Sequence, residues 1–155
     1  MPGGLSVKGQ ALRYLARREH SRAELERKLQ RRVQDLPQAS ARQQIAAALD
    51  ALAATGLLSE QRAAEALVRA RAGRNGDLKL RQEMRQRGFG DEDIAQALAS
   101  TAGAEFERAR QVWRQRFGAP APDAAGRAKQ ARFLAGRGFS AEAISRLVQG
   151  RDDAD

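Results

Sequence analysis

Four groups of residues in this chain have types and spacings that could do chemistry: one histidine, an acidic triplet, a glycine-bracketed loop and two runs of arginine. His20 is the only histidine. A metal site of ordinary kind needs several His, Cys or carboxylate groups converging. His20 lies at a break between two helical patterns and reads as a surface or capping residue, not a ligand or base. Asp91, Glu92 and Asp93 could hold magnesium for a small nuclease. They also open a helix, whose positive end accounts for them without a metal. The loop Gly73-Arg74-Asn75-Gly76 lacks the preceding strand and the Lys-Ser/Thr that a phosphate-cradling loop requires. The chain has no cysteine, so disulfides and thiolate ligands are excluded. No catalytic residue, metal or cofactor is expected.

The arginines point elsewhere. The chain has 28 basic and 19 acidic residues, a net charge of +9 and a pI near 11.2. That balance favours polyanions, either nucleic acid or a protein assembly built on it. Arg69, Arg71, Arg74, Lys79, Arg81, Arg85 and Arg87 gather around one interhelical loop. Arg110, Arg114, Arg116, Arg127, Lys129 and Arg132 gather around a second. Of these, Arg69, Arg71, Arg74, Lys79, Arg81, Arg85, Arg87, Arg127, Lys129 and Arg132 are the candidate contacts to nucleic acid or a partner. Two readings fit them: phosphate contacts repeated along an array, or solvated helix faces in an arginine-rich composition.

Helices must position these groups. Favourable helix formers dominate and prolines number four in 155 residues, so the class is all-α. No apolar run reaches the ~18 residues of a membrane span, and the first ten residues lack a signal-peptide apolar core; a soluble cytoplasmic protein is expected. Ser6 to Glu19 reads as a helix with Ala11, Leu12, Leu15 and Ala16 on one face. Ser21 with Glu24 has capping-box spacing for a second, from about Arg22 to Arg32. Ser40 opens a third, with Ile45, Leu49 and Leu52 inward and Gly56 as its stop. Ser59 caps a fourth through about Ala72, with Ala63, Leu67 and Ala70 inward. Asp77 caps a fifth that ends at Gly88, and the sixth runs to about Ala99. The seventh, from near Gly103, places Phe106, Ala109, Trp113 and Phe117 on one face. Asp123 caps an eighth lined by Ala128, Ala131, Leu134 and Ala135, and the ninth carries Ile144, Leu147 and Val148. Among the aromatic residues, only Tyr14 and Phe133 are candidates for exposed rings.

One stretch occurs twice. Met84 to Leu98, MRQRGFGDEDIAQAL, returns as Leu134 to Val148, LAGRGFSAEAISRLV. Arg87, Gly88, Phe89, Glu92 and Ile94 become Arg137, Gly138, Phe139, Glu142 and Ile144. The glycine closes one helix in the left-handed conformation, and Gly90 or Ser140 caps the next. Phe89 with Ile94, and Phe139 with Ile144, have hydrophobic-staple spacing. The first three helices form a degenerate copy without the glycine turn: Leu29 and Arg32 stand for Met84 and Arg87, and Ile45 and Leu49 for Ile94 and Leu98. The organisation is three tandem three-helix repeats, 6–57, 58–102 and 103–150, with flexible tails at 1–5 and 151–155. A repeat that size buries too little apolar surface alone, so the units should stack into an elongated curved array.

The run from Gly56 to Leu98 resembles the RecX family, bacterial regulators of the recombinase RecA. The residues that carry the resemblance are Gly56-Leu57-Leu58, Arg62, Ala64-Glu65, Val68, Arg71, Gly76, Arg81, Glu83 and Arg87-Gly88. Ala63 stands where the family has phenylalanine, and Ser59-Glu60 where it has an acidic pair. The resemblance covers the whole chain, since the family consists of three tandem three-helix repeats. It implies a non-enzymatic modulator; a monomer is expected. Such a protein binds the RecA filament on single-stranded DNA, lies in its helical groove, and depresses ATP hydrolysis, strand exchange and repressor cleavage. It also implies binding to single- and double-stranded DNA. A general nucleic-acid-binding module without a filament target is the alternative.

Overall fold

The computed structural model describes residues 4–101 and 104–150, and within them the secondary structure is helical apart from one isolated bridge. Nine helices follow in order: α1 Val7–Arg17, α2 Arg22–Gln30, α3 Ala41–Ala54, α4 Glu60–Arg71, α5 Asp77–Gln86, α6 Asp91–Ala99, α7 Glu105–Arg116, α8 Ala124–Gly136 and α9 Ala141–Val148. Residues 1–3, 102–103 and 151–155, including the expected seventh-helix start near Gly103 and most of both expected tails, lie outside the described residues.

Serine side chains start five of the helices. Ser6, Ser21, Ser40, Ser59 and Ser140 each accept a bond from the backbone N–H three residues on, satisfying one orphan donor of the first turn. Ser40 with Gln43 forms a full capping box. Asp123 caps α8 in the same way. The Ser21/Glu24 expectation is half met. Ser21 Oγ accepts from Glu24 N at 3.1 Å, but the Glu24 carboxylate bonds Arg18 instead of reaching back. Asp77 does not cap α5. Gly76 holds the N-cap without a side-chain bond, and the Asp77 carboxylate pairs with Arg108.

The two Arg-Gly-Phe corners close alike. Phe89 N donates to Met84 O at 3.1 Å and Gly88 N to Arg85 O at 3.0 Å; Phe139 N donates to Leu134 O at 3.3 Å and Gly138 N to Ala135 O at 3.0 Å. This is the double bond of a Schellman stop, and both glycines are left-handed, at φ +88° and +82°. In the first three helices, Leu36 and Ala39 exchange backbone bonds around Pro37 instead.

Each trio has its own apolar core. Ala11, Leu25, Leu29, Ile45, Leu49, Leu52 and Leu58 form the first, with Val7, Tyr14, Leu15 and Val33 against it. Ala63, Ala64, Leu67, Val68, Leu80, Met84, Phe89, Ile94, Ala97 and Leu98 make the second. Ala109, Val112, Trp113, Leu134, Phe139, Ala143 and Leu147 make the third, flanked by Phe106, Phe117, Phe133 and Ile144. Some residues on the expected faces, most of them alanines, turn out otherwise. Leu12, Ala16, Ala70, Ala128 and Ala135 are exposed, and Ala64, Val68 and Gln130 are buried. Alanine carries too little apolar area to fix a helix's rotation, so the larger neighbours decide it. Tyr14 and Phe133 are half-buried against their cores, not open platforms. Ala63 is a buried core residue.

The corners dock the trios on one another. Gly88 packs on Ala23 in the first turn of α2, and Arg87 O accepts from Ser21 Oγ at 3.0 Å. Gly138 packs on Lys79 in the first turn of α5. There Arg137 O accepts from Gly76 N at 2.8 Å and Gly138 O from Leu78 N at 3.2 Å. The second corner therefore uses its last carbonyls to satisfy backbone N–H groups at the start of the preceding trio's second helix, and the first corner uses its carbonyl to hold that helix's N-cap serine.

Candidate nucleic-acid and partner interface

The ten candidate basic residues divide by their partners. Arg71, Arg87 and Arg127 are committed within the chain. Arg71 pairs with Glu83 at 3.4 Å, and Glu83 with Arg87 at 3.0 Å. Arg87 reaches Glu24 at 3.7 Å, and Glu24 pairs with Arg18 at 2.9 Å. This alternating chain of five charges crosses from the second trio to the first, and four of them, Arg18, Glu24, Arg71 and Arg87, line a cleft of about 410 Å³ with Ala63, Leu67 and Phe89. Arg127 donates to the Pro122 carbonyl oxygen at 3.1 Å and closes the loop before α8.

The other seven face outward to different degrees. Arg69, Arg74, Lys79, Lys129 and Arg132 are exposed and have no acidic partner among the described residues; Arg81 is half-buried and likewise unpaired. Arg85 is exposed, with Asp91 3.6 Å away, a separation at which a solvated pair contributes little. Lys79 and Lys129 occupy equivalent positions, on the second helix of the second and third trios. Arg81 and Arg85 have no such counterparts, because Ala131 and Ala135 stand there. Those alanines, with Ala141, Ile144 and Val148, leave an apolar groove of about 430 Å³ rimmed by Arg132.

Three polar arrangements escaped sequence reasoning. His20 is buried, 2% exposed, not a surface residue. Its Nδ1 donates to the Arg18 carbonyl oxygen at 3.0 Å and its Nε2 accepts from Lys28 Nζ at 2.8 Å, so these partners assign a neutral ring. Burial, foremost, lowers its pKa, against the Arg18 carbonyl bond that raises it. Burial also lowers Lys28, helped by Arg18 nearby. Arg108 ties the third trio to the second through Ala72 O at 2.8 Å, Asn75 O at 3.0 Å and Asp77 Oδ1 at 2.9 Å. Glu60 accepts from Arg22 N at 2.5 Å across the first junction, and burial raises its pKa despite that bond. The excess of arginine hid these: nothing local marks which guanidinium turns inward.

Asp91 and Glu92 are exposed in the first turn of α6. Among the described residues no three His, Cys, Asp or Glu side chains could hold a metal ion. No helix among them is long and apolar enough to cross a membrane.

Fold and surface together define an all-α array of three-helix repeats, joined by polar corners and carrying outward-facing basic residues. Three family models match it in order: the first, second and third three-helix domains of RecX, over residues 8–35, 59–98 and 104–148. The regulatory protein RecX of Ralstonia nicotianae is 45% identical over 148 residues, covering 96% of this chain and 89% of that one. That of Ectopseudomonas mendocina is 45% identical over 152 residues, covering 96% and 97%. The crystal structure of RecX from Lactobacillus salivarius superposes with a TM-score of 0.76 at 21% identity, covering 94% of each chain. The chain belongs to the RecX family of regulatory proteins.

Proposed function

We propose that this protein binds the RecA filament on single-stranded DNA and inhibits its ATPase, strand-exchange and coprotease activities. Through these it modulates recombination, DNA repair and the SOS response, acting in the cytoplasm as a monomer without a catalytic site of its own. The observation that carries the reading is membership of the RecX family along nearly the whole chain. The surface supports it. Arg69, Arg74, Lys79, Arg81, Arg85, Lys129 and Arg132 are spread over the second and third trios, and a basic array of that kind suits a helical polyanion. Arg71, Arg87 and Arg127 serve the same purpose indirectly, by holding the trios and the loop before α8 in place. The domain limits 6–57, 58–102 and 103–150 are part of the proposal.

The test is RecA's ATPase on single-stranded DNA with rising amounts of this protein, beside an unrelated protein of equal charge. Inhibition by this protein alone is the expected result. No inhibition at any ratio, with a folded sample, overturns the reading. Equal inhibition by both proteins favours the alternative, a general nucleic-acid-binding module. A net charge of +9 makes salt-dependent DNA affinity expected in either case, so binding to naked DNA does not discriminate.

A further inference from the structure

The first trio holds a basic pocket outside the candidate interface. It lies between α1 and the carboxyl end of α2, encloses about 180 Å³, and is lined by Gln10, Arg13, Tyr14, Arg17 and Arg32. No carboxylate lines it. Elsewhere in the chain the arginines at junctions are answered by acids, as in Arg18–Glu24, Arg22–Asp50, Arg62–Glu19 and Arg108–Asp77. Arg13, Arg17 and Arg32 are exposed and have no such partner among the described residues. Arg13 and Arg17 are one turn apart on α1, a like-charged spacing that weakens a helix slightly. Lys28 adds a fourth cation behind the pocket, with its ammonium 4.9 Å from the centre of the Tyr14 ring. Gln10 also lines the pocket, with its Nε2 donating to Leu5 O at 3.1 Å.

We propose that this pocket is a phosphodiester site that takes the backbone of a nucleic-acid strand. Guanidinium forks match phosphate oxygens in pairs, and three of them around one opening supply the charge that an anion needs. Tyr14 adds a phenolic donor. A nucleic-acid strand repeats that phosphate along its length, so the same strand can also meet the outward-facing basic residues of the second and third trios. The volume admits one phosphate with part of its sugar, so the site grips a single point on a strand. It extends strand contact from the second and third trios to the first. For the identity of its occupant it rests on the proposed association with a nucleic-acid strand.

The experiment compares the full chain with R13Q/R17Q/R32Q and with K8Q/R42Q/R114Q, a control that removes equal charge from exposed positions outside the pocket. Binding of fluorescein-labelled oligo(dT) is followed by anisotropy between 50 and 200 mM salt. Circular dichroism confirms that both variants are folded. A strand loses a slope of about 0.7 in log K against log salt for each phosphate contact removed. The pocket variant is expected to lose about 0.7 in slope and about tenfold in affinity at low salt, and the control clearly less. Inorganic phosphate at constant ionic strength should weaken strand binding by the wild type and leave the pocket variant unaffected. Equal losses in both variants overturn the site. So does displacement of the strand by poly-glutamate as effective as that by unlabelled oligo(dT), which would identify an acidic peptide as the occupant. RecA ATPase measured in parallel separates the two readings. Inhibition by the wild type with unchanged strand affinity in the pocket variant sinks the site alone. A pocket-specific loss of strand affinity without any inhibition by the wild type sinks the filament reading alone.

Discussion

Replacing Gly138 by alanine tests whether the corner is a docking surface as well as a turn. Gly138 is left-handed, at φ +82°, and an L-residue there costs roughly 1–2 kcal/mol. A second cost comes from packing. A Cβ at this position would lie 2.5 Å from Lys79 N and 3.0 Å from Lys79 Cα. Those atoms are backbone in the first turn of α5 and no rotamer change moves them aside. The corner must back away, which breaks the bonds from Gly76 N to Arg137 O and from Leu78 N to Gly138 O. At about 1 kcal/mol each, these bring the expected loss to about 3–4 kcal/mol. Gly118 is the internal control: its φ is +79° and a Cβ there would meet nothing within 4 Å. Gly118→Ala should therefore cost only the conformational part, leaving a difference of about 2 kcal/mol. Urea unfolding of both variants gives the difference, and hydrogen exchange at the Gly76 and Leu78 amides gives its location. Protection of those two amides should fall in Gly138→Ala and persist in Gly118→Ala. Equal unfolding midpoints, with both amides still protected, would refute the docking account and leave Gly138 as a helix stop only.

Arg108→Ala removes three bonds at the same junction and leaves the half-buried Asp77 carboxylate unpaired. A loss of about 3 kcal/mol is expected by thermal unfolding, and Arg108→Lys should recover only part of it, since an ammonium cannot span three acceptors in a plane. Stability should also fall as pH drops below about 6.5, the ordinary histidine value. Burial depresses the folded pKa of His20, so between the two values the unfolded chain takes up the proton that the folded chain refuses. Because no other histidine is present, His20→Asn should flatten the melting temperature between pH 7 and 5.5, and parallel curves would disprove the assignment. Glu60→Gln should retain stability at pH 7, because the amide oxygen still accepts from Arg22 N without a buried charge, and Glu60→Ala should lose about 1–2 kcal/mol in the same melt. Lys79→Glu with Lys129→Glu should weaken inhibition of RecA's ATPase without changing the circular dichroism spectrum; an undiminished effect removes these two lysines from the interface.

Much of the architecture was legible because its causes are local. Ser21, Ser40, Ser59, Ser140 and Asp123 mark helix starts through a bond only three residues long. Gly88 and Gly138 mark stops through one backbone torsion. Leu29, Ile45, Leu49, Met84, Ile94 and Leu134 are large enough that their spacing alone assigns them to a core, and all are buried. The alanine-rich faces of α4 and α8 were misjudged because a single methyl group gains less from burial than the larger side chains that set each helix's rotation. The repeated corner was visible as a motif, but its second use, docking on the trio before it, was not.

The amino-acid sequence thus determined the helices, their order, the three cores, the repeated corner and the family. Those follow from backbone torsions, caps and apolar periods, each set by residues within one or two turns of one another. Only the tertiary structure decided which charges are spent inside the molecule. Ser21 and Arg87 meet across 66 positions, and Arg108 reaches Asp77 across 31. His20 became a buried neutral ring, Arg87 became a tie between trios and Arg71 a tie within the second, while Arg13, Arg17 and Arg32 were left facing one pocket without an acid. A guanidinium on a long flexible stem carries no sequence mark of its direction, since the carboxylate or carbonyl that captures it is supplied by a helix folded against it from elsewhere in the chain.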